Sequence, residues 1–284
     1  MNRVAGLVLH YLDAERSARC VASMLEQSVA PVLIWDNSAD GGLSARRLLQ
    51  LLGNDERILL RGGDANLGFA AGVNRGLAAI REAGHVDAIL LLNNDAVLLE
   101  GAVAALSACA EAHPEAPIVY PQIDHGGQVR GTVHHQRWSG LLTASPLPGS
   151  HPHASGCCLF IARWPAGARL LDEDFFMYGE DVELGWRLQC EGRPAQLLPE
   201  PLVFHEGSAS SGMASTFYES RMVAAHLLLA RKLATSPLEA KMFLAVRAVL
   251  LPVRALIRAV RYRSLQPVKA LWVGLQLARS LPDG

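Results

Sequence analysis

The first hundred residues alternate apolar strands with amphipathic helices, and that rhythm narrows the fold more than any other feature. Residues 4–9 read as a buried strand, 13–27 as a helix and 31–35 as a second strand. Residues 43–52 are helical, 57–60 form a short strand, 68–83 a helix and 88–92 a fourth strand. This βαβαβαβ order predicts an α/β fold with a mostly parallel sheet flanked by helices. Ligands of such sheets sit beyond the C-terminal strand ends. Three polar clusters fall there: His10-Tyr11, Asp36-Asn37-Ser38 and Asn93-Asn94-Asp95.

The rhythm loosens after a helix at 99–112. Residues 118–123 and 128–133 pair through the turn Asp124-His125-Gly126-Gly127. Residues 134–153 are rich in Pro, Gly, Ser and His and read as a binding loop. Its histidines, His134, His135, His151 and His153, show no ligand-like spacing and read as solvated. A buried strand at 155–162, a helix at 182–191 and short strands at 196–198 and 202–205 follow. The rest is helical. Over 242–262, Arg247, Arg254, Arg258 and Arg261 share one face at about 100° per residue. Leu, Val, Ala and Ile fill the other face, and Pro252 kinks the helix.

Charge is unevenly spread. The chain's net charge is −1, yet residues 231–284 hold ten Lys/Arg against two Asp/Glu. A basic, apolar tail on an acidic body points to an anionic surface, with the tail lying in a membrane interface. Its uncharged stretches fall short of the roughly 20 residues that span a bilayer. The acidic body and the lack of a binding motif argue against nucleic acid. Five cysteines with no CxxC pair indicate reduced thiols and a cytoplasmic chain. The first apolar run is too short for a signal peptide.

Two acidic segments carry the chemistry. An apolar strand ends in Asn93-Asn94-Asp95, which places a carboxylate at a sheet edge, as helix cap or metal ligand. Phe176-Met177-Tyr178-Gly179-Glu180-Asp181 puts two carboxylates at a helix start. A carboxylate for a metal and one for a base are the minimum for moving a group off a diphosphate. Residues 61–76 are glycine-rich, which permits close backbone approach at a helix N-terminus. They form neither a P-loop nor a GxGxxG fingerprint.

Six ordered segments then resemble those of family 2 inverting glycosyltransferases of the GT-A fold. Asp36-Asn37-Ser38-Ala39-Asp40-Gly41 resembles D-N-x-S-x-D-G. Residues 66–76 resemble N-x-G-F-a-x-G-x-N-x-G, and Leu92-Asn93-Asn94-Asp95 resembles a variant D-x-D metal motif. Residues 175–181 with Trp186-Arg187 resemble F-F-x-Y-x-E-D…R. His205-Glu206-Gly207-Ser208 is similar to H-x-G-S, and residues 217–221 to an aromatic-aromatic-x-x-R segment. The nearest branch is rhamnosyltransferase-like and builds bacterial surface polysaccharide. The resemblance covers about residues 4–232.

The resemblance implies roles. Asp36 contacts the donor's pyrimidine base, and Asn66, Gly68, Asn74 and Asn94 line the nucleotide-sugar cleft. Asp95 binds a divalent cation, Mg2+ or Mn2+, with His205 as second ligand. Asp181 is the general base and Glu180 positions the acceptor. The donor is a dTDP or UDP sugar, with L-rhamnose as one candidate. The acceptor is a glycan or lipid-linked glycan, met at the cytoplasmic face of the inner membrane. Residues 1–100 form the donor-binding half, 101–232 the acceptor half and 233–284 a basic helical segment. Two rivals remain: a degenerate membrane-bound scaffold, kept open by Asn93 and Asn94, and a sugar-phosphate nucleotidyltransferase. The latter needs a Gly-rich, Arg-containing loop where His10-Tyr11-Leu12-Asp13 stands.

Overall fold

The structure, a computed structural model, describes residues 3–63, 65–165, 167–206 and 215–279. Strands β1 (Val4–His10), β2 (Val32–Asp36), β3 (Ile58–Gly62) and β4 (Ala88–Asn93) run parallel, with β1 between β2 and β4. Every β1 residue is buried, as a strand covered on both faces must be. Helices α1 (Ala14–Glu26), α2 (Leu43–Leu52) and α3 (Phe69–Ala83) make the crossovers. Asp13 caps α1 by accepting from the Arg16 N–H at 3.0 Å. Added Cβ atoms on Gly72 and Gly76 would meet Leu9 at 2.6 Å and Leu7 at 2.3 Å. The glycine spacing therefore serves close packing of α3 on β1, rather than approach to a ligand.

The second half is mixed. The chain continues through β5 (Ala96–Leu98), α4 (Ala102–Ala112), β6 (Ile118–Asp124) and β7 (Val129–Arg130). Strands β8 (Val133–Gln136), β9 (Leu142–Thr143) and β10 (Ser150–His153) form a separate antiparallel sheet. Strand β11 (Cys158–Ile161) lies antiparallel between β4 and β6. After α5 (Glu180–Cys190), β12 (Gln196–His205) pairs parallel to β6 and antiparallel to β5. The main sheet runs β3-β2-β1-β4-β11-β6-β12-β5. Apolar clusters cover both of its faces, and a third lies around Phe175, Val182 and Leu228.

Two expectations change here. The 134–153 stretch is a small sheet rather than a loop, and three of its four histidines are buried: His135, His151 and His153. His135 and His151 are cross-strand partners with ring centroids 5.3 Å apart. Histidine on the inward face hid the period-2 signal, because composition scores it as polar. Residues 196–205 make one strand whose register shifts, not two.

Helices α6 (Thr216–Lys232), α7 (Pro237–Tyr262) and α8 (Gln266–Arg279) close the described chain. The arginine face of α7 turns inward, against the expectation that it meets an anionic surface. Arg247 is buried and donates to the carbonyls of Trp138 and, at 3.0 Å, Arg137. Arg254 and Arg258 bind Glu219 of α6, and only Arg261 is exposed. The outward stripe is apolar instead: Met242, Val249, Val253, Leu256 and Val260, the last 80% exposed. Arginine wins the inner face because α7 packs on a hairpin edge and Glu219, which offer carbonyls and a carboxylate.

Candidate active site

The parallel strand ends gather the first cluster. His10 ends β1 and accepts the Asn37 N–H at its carbonyl, 2.9 Å. Asp36 ends β2 and accepts from the Ser38 N–H at 2.9 Å. Asn37 is buried and joins the two neighbouring loops. Its amide donates to Asn66 Oδ1 at 2.9 Å and the Gly68 carbonyl at 3.0 Å, and its Oδ1 accepts from Leu67 N–H at 2.9 Å. Gly68 sits at φ +81°, where a Cβ would lie 2.3 Å from the Phe176 carbonyl. That carbonyl accepts the Phe69 N–H at 2.6 Å, tying the start of α3 to the loop that precedes Glu180 and Asp181.

The Asn74 side chain donates to Leu171 O (2.8 Å) and Glu173 (3.0 Å) and accepts from the Leu170 and Leu171 N–H groups. These bonds fix the 170–173 loop to α3. Asn94 donates to Ser17 Oγ at 3.2 Å, beside the strand end.

Asp95 and His205 do meet. The pairing of β5 with β12 sets His205 opposite Ala96 and brings its Nε2 within 3.0 Å of Asp95 Oδ1. Burial alone would raise the Asp95 carboxyl; the His205 bond and nearby positive charge outweigh it and hold it below the usual range. His125 stands 3.3 Å from His205, nitrogen to nitrogen. Sequence gave no signal for His125, which lies in a turn. No three His, Cys, Asp or Glu side chains converge on a metal position among the described residues. A carboxylate and an imidazole still suit a divalent cation whose other ligands are diphosphate oxygens and water. Gly207 and Ser208 of the H-x-G-S segment lie outside the described residues.

Glu180 and Asp181 open α5 behind Tyr178 at φ +70° and Gly179 at φ +96°. Asp181 is half-buried; its Oδ1 accepts from Val182 N–H at 2.8 Å and its Oδ2 from Gly156 N–H at 3.3 Å. Glu180 is buried, and its Oε2 has no hydrogen-bond partner. Burial first, and the Asp181 charge second, push its carboxyl up to about 8. The two acids therefore differ: Asp181 is half-buried and reachable, whereas burial favours the protonated form of Glu180. His153, whose basicity burial lowers and Asp181 raises, lines the same cavity.

One peptide stretch joins both acidic sites. Cys157 O accepts the Asn93 N–H at 2.8 Å, and the adjacent Gly156 donates to Asp181. The strand end that carries Asp95 and the helix start that carries Asp181 thus share β11's lead-in. Trp186 lies under the Arg137 guanidinium at 4.2 Å, which is packing.

These features define a nucleotide-sugar transferase fold of GT-A type, and solved structures agree. The mannosyltransferase PcManGT of Pyrobaculum calidifontis, solved with GDP-Man and Mn2+, superposes with TM-score 0.58 at 15% identity, over 98% of this chain and 87% of that one. TarS 1–349 of S. aureus gives 0.56 at 13% identity, over 97% and 81%. Its complex with UDP-GlcNAc gives 0.53 at 14% identity, over 97% and 81%. No family model matches the chain. In sequence it is 30% identical over 229 residues to the N-acetylglucosaminyl-diphospho-decaprenol L-rhamnosyltransferase of Mycobacterium tuberculosis, covering 70% of this chain and 73% of that protein. The chain belongs to the rhamnosyltransferase-like family 2 glycosyltransferases, and it is a glycosyltransferase.

Proposed function

We propose that the protein is an inverting, divalent-cation-dependent rhamnosyltransferase acting on a lipid-linked glycan. The observation that supports this reading is the backbone link at Gly156 and Cys157, which ties the strand end before Asp95 to the helix start at Asp181. The rhamnosyl group and the lipid-linked acceptor follow the mycobacterial relative's name, and the dTDP or UDP carrier follows the resemblance of the sequence motifs.

In the step, the acceptor oxygen bonds to the anomeric carbon as its proton passes to Asp181. The bond from that carbon to the diphosphate oxygen breaks, and the nucleoside diphosphate leaves with the electron pair. Attack opposite the leaving group inverts the anomeric centre. Asp95 and His205 would hold a divalent cation, Mg2+ or Mn2+, and such a cation would supply positive charge against the departing diphosphate. Asp36 faces the base, while Asn37, Asn66 and Gly68 hold the cleft's floor.

No helix among the described residues is long and apolar enough to cross a membrane. We place the enzyme on the cytoplasmic face of a membrane through the apolar stripe of α7, with Trp272, 62% exposed, beside it on α8. Calorimetry of dTDP, UDP and GDP with and without Mn2+ tests the donor reading. Metal-dependent binding of one pyrimidine diphosphate supports it; no nucleotide binding by a folded sample favours the degenerate scaffold. Leu256→Glu with Val260→Glu is expected to abolish sedimentation with liposomes, and unchanged sedimentation rejects the membrane contact.

A further inference from the structure

A cavity of about 840 Å³ lies between α5, α6, α7 and the β8–β9 hairpin. Glu180 and Asp181 line it, so it opens onto the reacting centre. Its size is near the upper end of the roughly 300–1,000 Å³ usual for small-molecule sites. Much of the wall is apolar: Leu142, Met222, Leu250, Val253 and Ile257. The last three also reach the surface, at 37%, 47% and 62% exposure, and so join the cavity to the outward stripe of α7.

The same wall carries Arg254 and Arg258. Both bind Glu219, which is 1% exposed: Arg254 Nη1 donates to Oε2 at 2.8 Å, and Arg258 Nε to Oε1. One carboxylate against two guanidiniums leaves a positive charge on the α6–α7 wall of a largely apolar cleft that Asp181 also lines. Arg258 Nη2 is buried and has no hydrogen-bond partner. Tyr218 and Tyr262 hold the guanidinium, 5.4 and 4.9 Å from their ring centroids. Tyr218 in turn stacks on Tyr178, three residues before Asp181, at 5.2 Å. If Glu219 served only to dock α7, Arg254 alone would neutralise it. A second guanidinium with a spare donor instead matches an anion with several oxygens, and arginine's fork fits phosphate. A plain glycan would gain nothing from an apolar exit, whereas a hydrocarbon chain would.

We propose that this cleft seats the acceptor, with Arg254 and Arg258 gripping its diphosphate and the α7 wall taking the first part of its prenyl chain. This assignment rests on the transferase reading above and names a ligand site within it.

The test uses calorimetry on the full chain, with dTDP and Mn2+ saturating so that the donor cleft is filled. The probes are farnesyl diphosphate, farnesol and inorganic pyrophosphate. Farnesyl diphosphate is expected to bind wild type, with Arg258→Gln weakening it about tenfold or more and leaving farnesol unaffected. Equal affinity in wild type and variant overturns the diphosphate clamp. Pyrophosphate binding as tightly as farnesyl diphosphate overturns the apolar half. Met222→Trp fills the cleft from α6 without removing a charge, so it covers the case in which Arg258→Gln fails to fold. It is expected to abolish farnesyl diphosphate binding, and retained binding overturns the site. Binding of dTDP or UDP with Mn2+ is read separately on each sample. Its absence in wild type sinks the transferase reading, whereas nucleotide binding without lipid-diphosphate binding sinks only this inference.

Discussion

The donor and acceptor sides of the cleft are built by opposite means. On the donor side polar groups are spent on one another: Asn37 alone makes three hydrogen bonds that lock the 66–68 loop to β2. Buried polar atoms without partners occur on both sides, His10 Nε2, Trp35 Nε1 and Asn93 Oδ1 among them on the donor side, but on the acceptor side Glu180 Oε2, both His135 ring nitrogens, His226 Nδ1 and Arg258 Nη2 belong to residues that line one cavity. Buried polar groups are normally paired, so an unpaired cluster beside a cavity marks where a ligand completes the structure. On the proposed donor side the loops are locked to one another, whereas the proposed acceptor side surrounds an open cavity. Substitutions on the two sides should therefore fail in different assays.

The largest separation is expected from Asp181→Asn. Turnover should fall by about 10²–10⁴, the usual contribution of a general base, while nucleotide binding is kept. Unchanged turnover removes Asp181 from that role. Asp95→Ala should do the reverse, costing several kcal/mol in metal-dependent nucleotide binding, on the order of 10²–10³-fold. Titration with dTDP or UDP and Mn2+ reads it directly. If Asp95→Ala leaves nucleotide affinity alone and changes acceptor KM, the division of the cleft is wrong. Asn37→Ala comes third. Loss of three buried hydrogen bonds should cost about 2–3 kcal/mol of stability and weaken donor binding with it. Chemical denaturation with and without nucleotide separates the two effects.

The same contrast explains what could be read from sequence. The donor half rests on continuous apolar strands such as β1 and on helices close to their predicted bounds, because local pattern and final fold agree there. Asp95 and His205 were legible as strand ends, and the structure joins them across 110 residues through β5 and β12. Asn74 stood in a quoted motif, but its four bonds to the 170–173 loop were not legible there, because a motif does not show where a side chain points. Asn37 stood in a quoted motif, yet its part in the cleft needed the three-dimensional partners. The acceptor half was harder. Its histidines face a core, and the arginines of α7 face carbonyls and Glu219 made available by distant segments. Helical periodicity put those arginines on one face correctly, but periodicity cannot say which face is inside.

The smallest expected effect concerns pH and tests the acceptor side alone. Glu180 is raised from 4.5 to about 8 in the folded protein. Between those values the unfolded chain has lost the proton and the folded chain keeps it, so stability falls as pH rises through this window. The buried imidazoles act at the other end. Burial lowers His135 to about 2, His226 to about 3 and His151 to about 4, from 6.5. Below 6.5 the unfolded chain takes up protons that the folded chain refuses, so stability falls as pH drops. The two effects bound a maximum near neutral pH. Glu180→Gln removes only the alkaline limb, and should lose less stability than wild type between pH 6.5 and 8.5 while matching its loss at pH 5. Thermal unfolding across that range measures both limbs. An alkaline limb unchanged in Glu180→Gln would show that Glu180 does not hold its proton in the folded protein.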